Sequence, residues 1–116
     1  MTVRELIEIS GAKLLNEGVD LDGEALYGYA CDLLSWVMAR AAAKTAWITV
    51  MTHMNVIAVA SLLDLACIIV PENAEIAQDV LDKAREEGIP VLGCEKTAFE
   101  LSGALYASGL KRPEKG

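Results

Sequence analysis

Seven polar residues with side chains suited to ligand binding stand close after short apolar runs in the second half of the chain. They are Thr52, His53, Asn55, Glu72, Asn73, Glu95 and Thr97. Hydroxyl, imidazole, amide and carboxylate groups hold small metabolites or ions by hydrogen bonds and charge. If the apolar runs are parallel strands, their carboxyl ends meet at one edge of a sheet, where open α/β sheets bind ligands. The sequence therefore predicts a ligand-binding site formed by these seven residues.

His53 is the only histidine in the chain. Histidine changes charge near neutral pH, so it can contact a ligand anion, act as an acid or base, or simply occupy a turn. No second histidine is present to share a metal ion, and no Ser or Cys nucleophile is identifiable as its partner. Three roles stay open for His53: a structural or surface corner, a contact with a ligand or second subunit, and acid–base catalysis.

The sequence lacks the common motifs of catalytic and cofactor sites. It contains no P-loop, no GxGxxG fingerprint, no GxSxG turn, no CxxC pair and no HExxH. We therefore expect no catalytic residue, no metal ion and no cofactor. A binding protein is favoured over an enzyme.

Short apolar runs alternate with helical patterns from Lys44 onward. The runs AWITVM, ACIIV and IPVLGC predict strands, and helices are predicted over 55–65, 74–87 and 98–108. This alternation is typical of right-handed βαβ units on a parallel sheet. Asn55, Asn73 and Thr97 are predicted to cap these helices, and Thr97 with Glu100 has capping-box spacing.

The first 44 residues are predicted to form two helices and two strands. Thr2 and Glu5 have the spacing of a capping box, and Gly11 is expected to end the helix that follows. The segments AKLLNEG and ALYGYAC predict short strands, and a helix is predicted over 32–44 with Asp32 as its N-cap. Whether these strands join the sheet of the second half is open.

Two helices present apolar surface that the fold itself is not expected to cover. At 100° per residue, Trp36 points away from the apolar face of its helix, so we predict that it is exposed and lies at an interface. That face is formed by Leu33, Leu34, Val37, Met38 and Ala41. The helix over 55–65 is apolar nearly all round, so we expect a homodimer in which a second subunit covers part of it.

Composition limits the partners and the compartment. The formal charge of −7 repels nucleic-acid phosphates, and no apolar run approaches the roughly 20 residues of a membrane span. We therefore expect neither nucleic acid nor membrane as a partner. Cys31, Cys67 and Cys94 are odd in number and lie in apolar surroundings, which favours reduced thiols in a cytoplasmic protein.

The segments GYACDLLSWVMA, AWITVMTHMNVIAVASLLDLACIIV and GIPVLGCEKTAFELSGALY together resemble the DRTGG domain family. The resemblance covers the chain from the first helix to about Leu110, although the Asp-Arg-Thr-Gly-Gly run itself is absent. Through that family the chain is similar to the N-terminal domain of HPr kinase/phosphorylase and to a middle segment of some phosphotransacetylases.

The resemblance implies a small three-layer α/β domain with a mainly parallel sheet, of the MurF/HPr-kinase N-domain type. It implies no kinase activity, because the related enzymes carry that activity in a separate P-loop domain. Many relatives have a Gly-Asp-Arg-like turn where this chain has residues 51–55, so an arginine site for anions does not carry over. Members often accompany regulatory modules such as CBS domains.

We therefore predict one DRTGG-like domain over residues 1–110, followed by a polar tail over 111–116. Its predicted function is to sense a small metabolite or anion at the carboxyl edge of the sheet, and to act through self-association or a protein partner. The alternative is a protein–protein interaction adapter with no small-molecule ligand, in which Trp36 forms the functional surface.

Overall fold

The protein folds as a five-stranded sheet between two layers of helices. This computed structural model describes residues 1–115. The strands are β1 (Lys13–Leu14), β2 (Tyr27–Ala30), β3 (Thr45–Ile48), β4 (Cys67–Val70) and β5 (Val91–Gly93). The helices are α1 (Val3–Ser10), α2 (Leu34–Arg40), α3 (Met54–Leu63), α4 (Gln78–Glu86) and α5 (Ala98–Ala107). The predicted fold class, a three-layer α/β domain with a mainly parallel sheet, is confirmed.

Four parallel strands are wound in one direction across the sheet. The order is β1-β5-β4-β3-β2, with β2 to β5 parallel and β1 antiparallel to β5. Right-handed crossovers that advance in one direction place their helices on the same face of a sheet. Accordingly, α2, α3 and α4 share one face, while α1 and α5 cover the other.

The central strands are buried on both sides, which explains their continuous apolar sequence. Every residue of β3 and β4 is buried. Trp47 and Ile68 point towards α2, α3 and α4, whereas Ile48 and Ile69 point towards α1 and α5. Because both faces are covered, these strands have the continuous apolar pattern of a buried parallel sheet.

The first 30 residues contribute a strand to each edge of the sheet. β1 pairs with β5, and β2 pairs with β3. Asn16, just after β1, is buried and joins that edge to the sheet through its side chain. It donates to the Ile89 carbonyl and accepts from the Val91 N–H, each at 2.8 Å.

Both predicted capping boxes are present, and they start α1 and α5. The hydroxyls of Thr2 and Thr97 accept from the N–H groups of Glu5 and Glu100, whose carboxylates accept in return. Gly11 ends α1 in the left-handed conformation, with φ of 73°. The sequence predicts the two capping boxes correctly because each one lies within four consecutive residues.

The predicted N-cap of α2 is wrong. Leu33, not Asp32, occupies the cap position, and it makes no side-chain cap hydrogen bond. The Asp32 carboxylate instead accepts from the Thr49 hydroxyl at 2.7 Å and from the Val50 N–H at 2.9 Å. Asp32 therefore links the end of β2 to the end of β3. Because its carboxylate accepts these two hydrogen bonds, it does not cap α2.

The apolar face predicted for α2 is only partly buried. Val37 and Ala41 are buried in the core, but Leu33 and Met38 are exposed. Leu33 precedes the first helical turn in an extended conformation, so helical spacing does not set its direction. Within residues 1–115, no helix combines the length and the apolar character that crossing a membrane requires.

Candidate functional site

The parallel strands bring the three predicted corners to the same edge of the sheet, their carboxyl edge. The corners at the ends of β4 and β5 are hydrogen-bonded to each other. The Glu72 N–H donates to the Lys96 carbonyl and the Asn73 N–H donates to the Cys94 carbonyl, each at 2.9 Å. Residues 71–73 and 94–97 thus form one continuous surface.

The third corner, after β3, borders an open cleft together with the segment that leads into α4. Thr52, His53 and Met54 form one wall, and Glu75, Ile76, Ala77, Asp79 and Val80 form the other. The cleft has a volume of about 590 Å³. We refer to it as the His53 cleft.

His53 stands at the N-cap position of α3 with its side chain exposed and without a cap hydrogen bond. The imidazole is therefore not used to hold the turn together. The neighbouring Thr52 is half-buried. Apolar side chains, among them Val56, Ile76 and Val80, lie directly beneath this pair. The wall of the cleft is thus polar at its mouth and apolar at its base.

Two of the three predicted helix caps on this edge are wrong. Asn55 is the second residue of α3, since His53 occupies the cap position. Asn73 lies five residues before α4, which begins at Gln78 after Ala77. Asn73 and the preceding Glu72 are in the left-handed conformation, with φ of 51° and 58°. Asparagine tolerates that conformation and favours turns as readily as caps, so residue type alone did not separate the two.

Thr97 is a cap as predicted, and its hydroxyl is engaged with Glu100. Glu95 is exposed in the corner after β5. Lys96 is half-buried, and its ammonium group donates to the Ser10 carbonyl at 2.9 Å. Six of the seven predicted residues therefore lie in the three corners, and Asn55 is exposed in the first turn of α3.

The carboxyl edge carries more negative than positive charge. Glu72, Glu75, Asp79 and Glu95 are all exposed there. Lys96 is the nearby cation, and its charge is directed at a backbone carbonyl. A strongly anionic ligand would meet repulsion from these carboxylates. Glu75 and Asp79 were not among the predicted site residues, because in the sequence they looked like the polar face of a helix.

The three cysteines are free thiols, and two of them are buried. Cys67 and Cys94 lie in the core, whereas Cys31 is half-buried. Burial raises the pKa of the Cys67 thiol to about 12, so it carries almost no thiolate at neutral pH. Among residues 1–115, no three His, Cys, Asp or Glu side chains are grouped closely enough to hold a metal ion.

The exposed tryptophan is where the helical spacing predicted. Half of the Trp36 surface is accessible, and the Arg40 guanidinium carbon lies 4.0 Å from the centre of its ring. On α3, Met54 and Leu62 are also exposed, while Val56 and Ile57 are buried. The expected uncovered face of α3 is therefore present.

The structure also contains an apolar groove that the sequence did not predict. It lies between β2 and α5, on the face of the sheet opposite the His53 cleft, and has a volume of about 160 Å³. Its floor and walls are Gly28, Ala30, Ile48, Leu105 and Leu110, and its margin includes Ser102, Tyr106, Lys111 and Arg112. We refer to it as the α5 groove.

No protein-family model and no curated protein matches the sequence. Among solved structures, the fold is similar to the CBS and DRTGG domains of the regulatory region of Clostridium perfringens pyrophosphatase, crystallised with its activator diadenosine tetraphosphate. The TM-score is 0.68 at 12% sequence identity, over 96% of this chain and 50% of that one. This chain therefore spans half the length of that structure, and the likeness shows a related fold.

Proposed function

We propose that this chain is a non-catalytic regulatory domain that binds a small metabolite in the His53 cleft and acts through self-association or a protein partner. One observation carries the proposal. Thr52 and His53, from the corner after β3, face the segment of Glu75 to Val80 across an open cleft at the carboxyl edge. That edge is where parallel α/β sheets bind their ligands.

The cleft favours a neutral or cationic ligand that has hydrogen-bond donors on one side and an apolar portion on the other. The Glu75 and Asp79 carboxylates accept hydrogen bonds, and hydrogen bonds to charged groups are the stronger ones. Ile76 and Val80 offer apolar surface beside them. Hydroxyls or amines attached to a ring, as in a nucleoside, satisfy both halves of the cleft.

The similar fold in a regulatory region supports a sensing role. The pyrophosphatase region binds diadenosine tetraphosphate, a nucleotide activator. We extend a regulatory role, and membership of the DRTGG domain family over residues 1–110, to this chain as part of the proposal. Free thiols at all three cysteines favour the reducing cytoplasm as its compartment.

Ligand binding is tested by thermal unfolding of the full chain with adenosine, which should stabilise the domain, and with diadenosine tetraphosphate and acetyl phosphate, whose negative charge the exposed carboxylates should repel. A ligand at 100 times its Kd adds about 2.7 kcal/mol, which for a domain of this size raises Tm by roughly 10 °C. Glu75→Gln should weaken binding about tenfold, since a hydrogen bond to a charged group is lost. Glu8→Gln, on the opposite face of the protein, is the matched control. Absence of stabilisation by every compound, or equal weakening by both variants, would contradict the proposal.

The alternative is a protein-interaction adapter that uses the exposed surface of α2. Trp36 supports it, because tryptophan and arginine are enriched at interface hot spots and here Arg40 covers the ring. In cells, a protein that cross-links to the wild-type chain through α2 should no longer cross-link to Trp36→Glu. The Tm of the purified domain should stay unchanged. The same partner captured equally by wild type and Trp36→Glu would remove the adapter proposal.

A further inference from the structure

The outer face of α5 carries two of the most exposed aromatic side chains in the described part of the chain. Phe99 is 89% exposed and Tyr106 is 80% exposed. With Glu100, Gly103 and Ala107 they form a stripe at helical spacing, while Leu101 and Leu105 are buried on the inner side. An amphipathic helix of a monomer would place polar residues on this face.

Gly103 lies at the centre of the stripe without a structural reason inside the protomer. A Cβ at this position would meet no atom within 4 Å. Glycine weakens a helix interior, and it is used where another backbone approaches closely. The protomer itself gives no packing reason for a glycine here, and the absent side chain leaves room for a second backbone.

We propose that α5 is a homodimer interface, in which two copies of α5 pack antiparallel across Gly103 and each Phe99 ring enters the α5 groove of the other copy. This extends the self-association named in the proposed function, but it does not depend on a ligand. The occupant is a second copy because the chain presents both the projecting ring and a matching groove on the same helix, as an isologous interface requires.

The helix geometry brings the ring to the groove. Phe99 is four residues before Gly103, which is about 6 Å along the axis, and Tyr106 is about 4.5 Å after it. In an antiparallel pair, Phe99 of one copy therefore faces Tyr106 of the other. At 100° per residue, Phe99 lies on the same side of α5 as Ser102 and Tyr106, and those two residues line the groove.

The groove has the size and chemistry to receive a phenyl ring. Its volume is about 160 Å³ and its floor is apolar, and an apolar cavity of about 150 Å³ is known to bind benzene. Covering two Phe99 and two Tyr106 rings removes roughly 150–250 Å² of surface per ring from water. That is a large part of the roughly 1,200–2,000 Å² of a stable interface.

Charge favours the same antiparallel arrangement. Glu95 and Glu100 outnumber Lys96 at the start of α5, and Lys111, Arg112 and Lys115 outnumber Glu114 after its end. Within residues 1–115, neither Lys111 nor Arg112 forms a salt bridge. Antiparallel packing places the acidic start of each helix beside the basic end of the other, whereas parallel packing would place like charges together.

The oligomeric state of the ligand-free full chain tests the proposal by sedimentation equilibrium. Wild type should have twice the 12.4 kDa mass of one chain. Phe99→Glu should raise the dimer Kd at least 100-fold, and Gly103→Leu should do the same while raising the Tm of the monomer, since leucine is the better helix former. Trp36→Glu is the control, and it should remain dimeric. A monomeric wild type, or a dimer that Phe99→Glu and Gly103→Leu leave intact, would overturn the proposal. Neither outcome bears on ligand binding in the His53 cleft.

Discussion

Trp47→Ala is expected to lower the free energy of unfolding by about 3–5 kcal/mol. Trp47 is fully buried in β3, against the layer formed by α2, α3 and α4. Its indole N–H donates to the Cys31 carbonyl at 2.9 Å, which links β3 to the end of β2. Removal of the ring leaves a large cavity and deprives that carbonyl of its donor. The loss is a large share of the roughly 5–15 kcal/mol that stabilises a domain.

Urea unfolding followed by circular dichroism measures this effect, and the second tryptophan provides the control. Trp36→Ala should change the free energy of unfolding by less than about 1 kcal/mol, because Trp36 is half exposed and its ring is covered by the exposed Arg40. If Trp47→Ala does not fold, Trp47→Phe retains most of the packing and should lose about 1–2 kcal/mol with the hydrogen bond. Equal losses for Trp47→Ala and Trp36→Ala would contradict the burial described here.

Asn16→Ala is expected to cost roughly 2–5 kcal/mol, because it leaves two buried backbone groups without a partner. The Asn16 side chain is the donor to the Ile89 carbonyl and the acceptor for the Val91 N–H. Val91 is the first residue of β5 and Ile89 precedes it by two, so these groups lie 75 and 73 residues from Asn16 along the chain. The loss should loosen the edge formed by β1 and the turn that leads into β5.

The midpoint and slope of the urea transition report this loss, with hydrogen exchange to localise it. Asn55→Ala is the matched control, since Asn55 is exposed on α3 and its side chain makes no hydrogen bond within residues 1–115. The Val91 amide should exchange much faster in Asn16→Ala than in wild type. Unchanged protection at Val91 would show that the amide side chain does not hold this edge.

The winding of the second half of the chain was predictable because the relevant interactions are short-ranged or periodic. The runs that contain Trp47, Ile68 and Val91 are buried on both faces, so they stand out as continuous apolar segments. Thr97 and Glu100 form a complete capping motif within one turn. Such patterns need no knowledge of distant residues.

The details of the candidate site depended on contacts that the sequence does not display. Asp32 and Asn73 have residue types that suit a helix cap equally well as a turn, and long-range partners decided between them. The start of α4 at Gln78, rather than at residue 74, leaves Glu75 in the wall of the His53 cleft. The place of β1 next to β5 rests on pairing across some 80 residues, which no local pattern encodes.

The first and last segments of the described chain meet beside β2. The Met1 amino group donates to the Ala25 carbonyl at 3.3 Å, and the Lys111 N–H donates to the Leu26 carbonyl at 3.2 Å. Both contacts lie just before β2, at the amino edge of the parallel strands and thus at the opposite edge from the His53 cleft. A circular permutant that joins these segments through a short linker keeps every strand pairing, and insertion of the domain into a surface loop of a host protein leaves the cleft accessible to solvent.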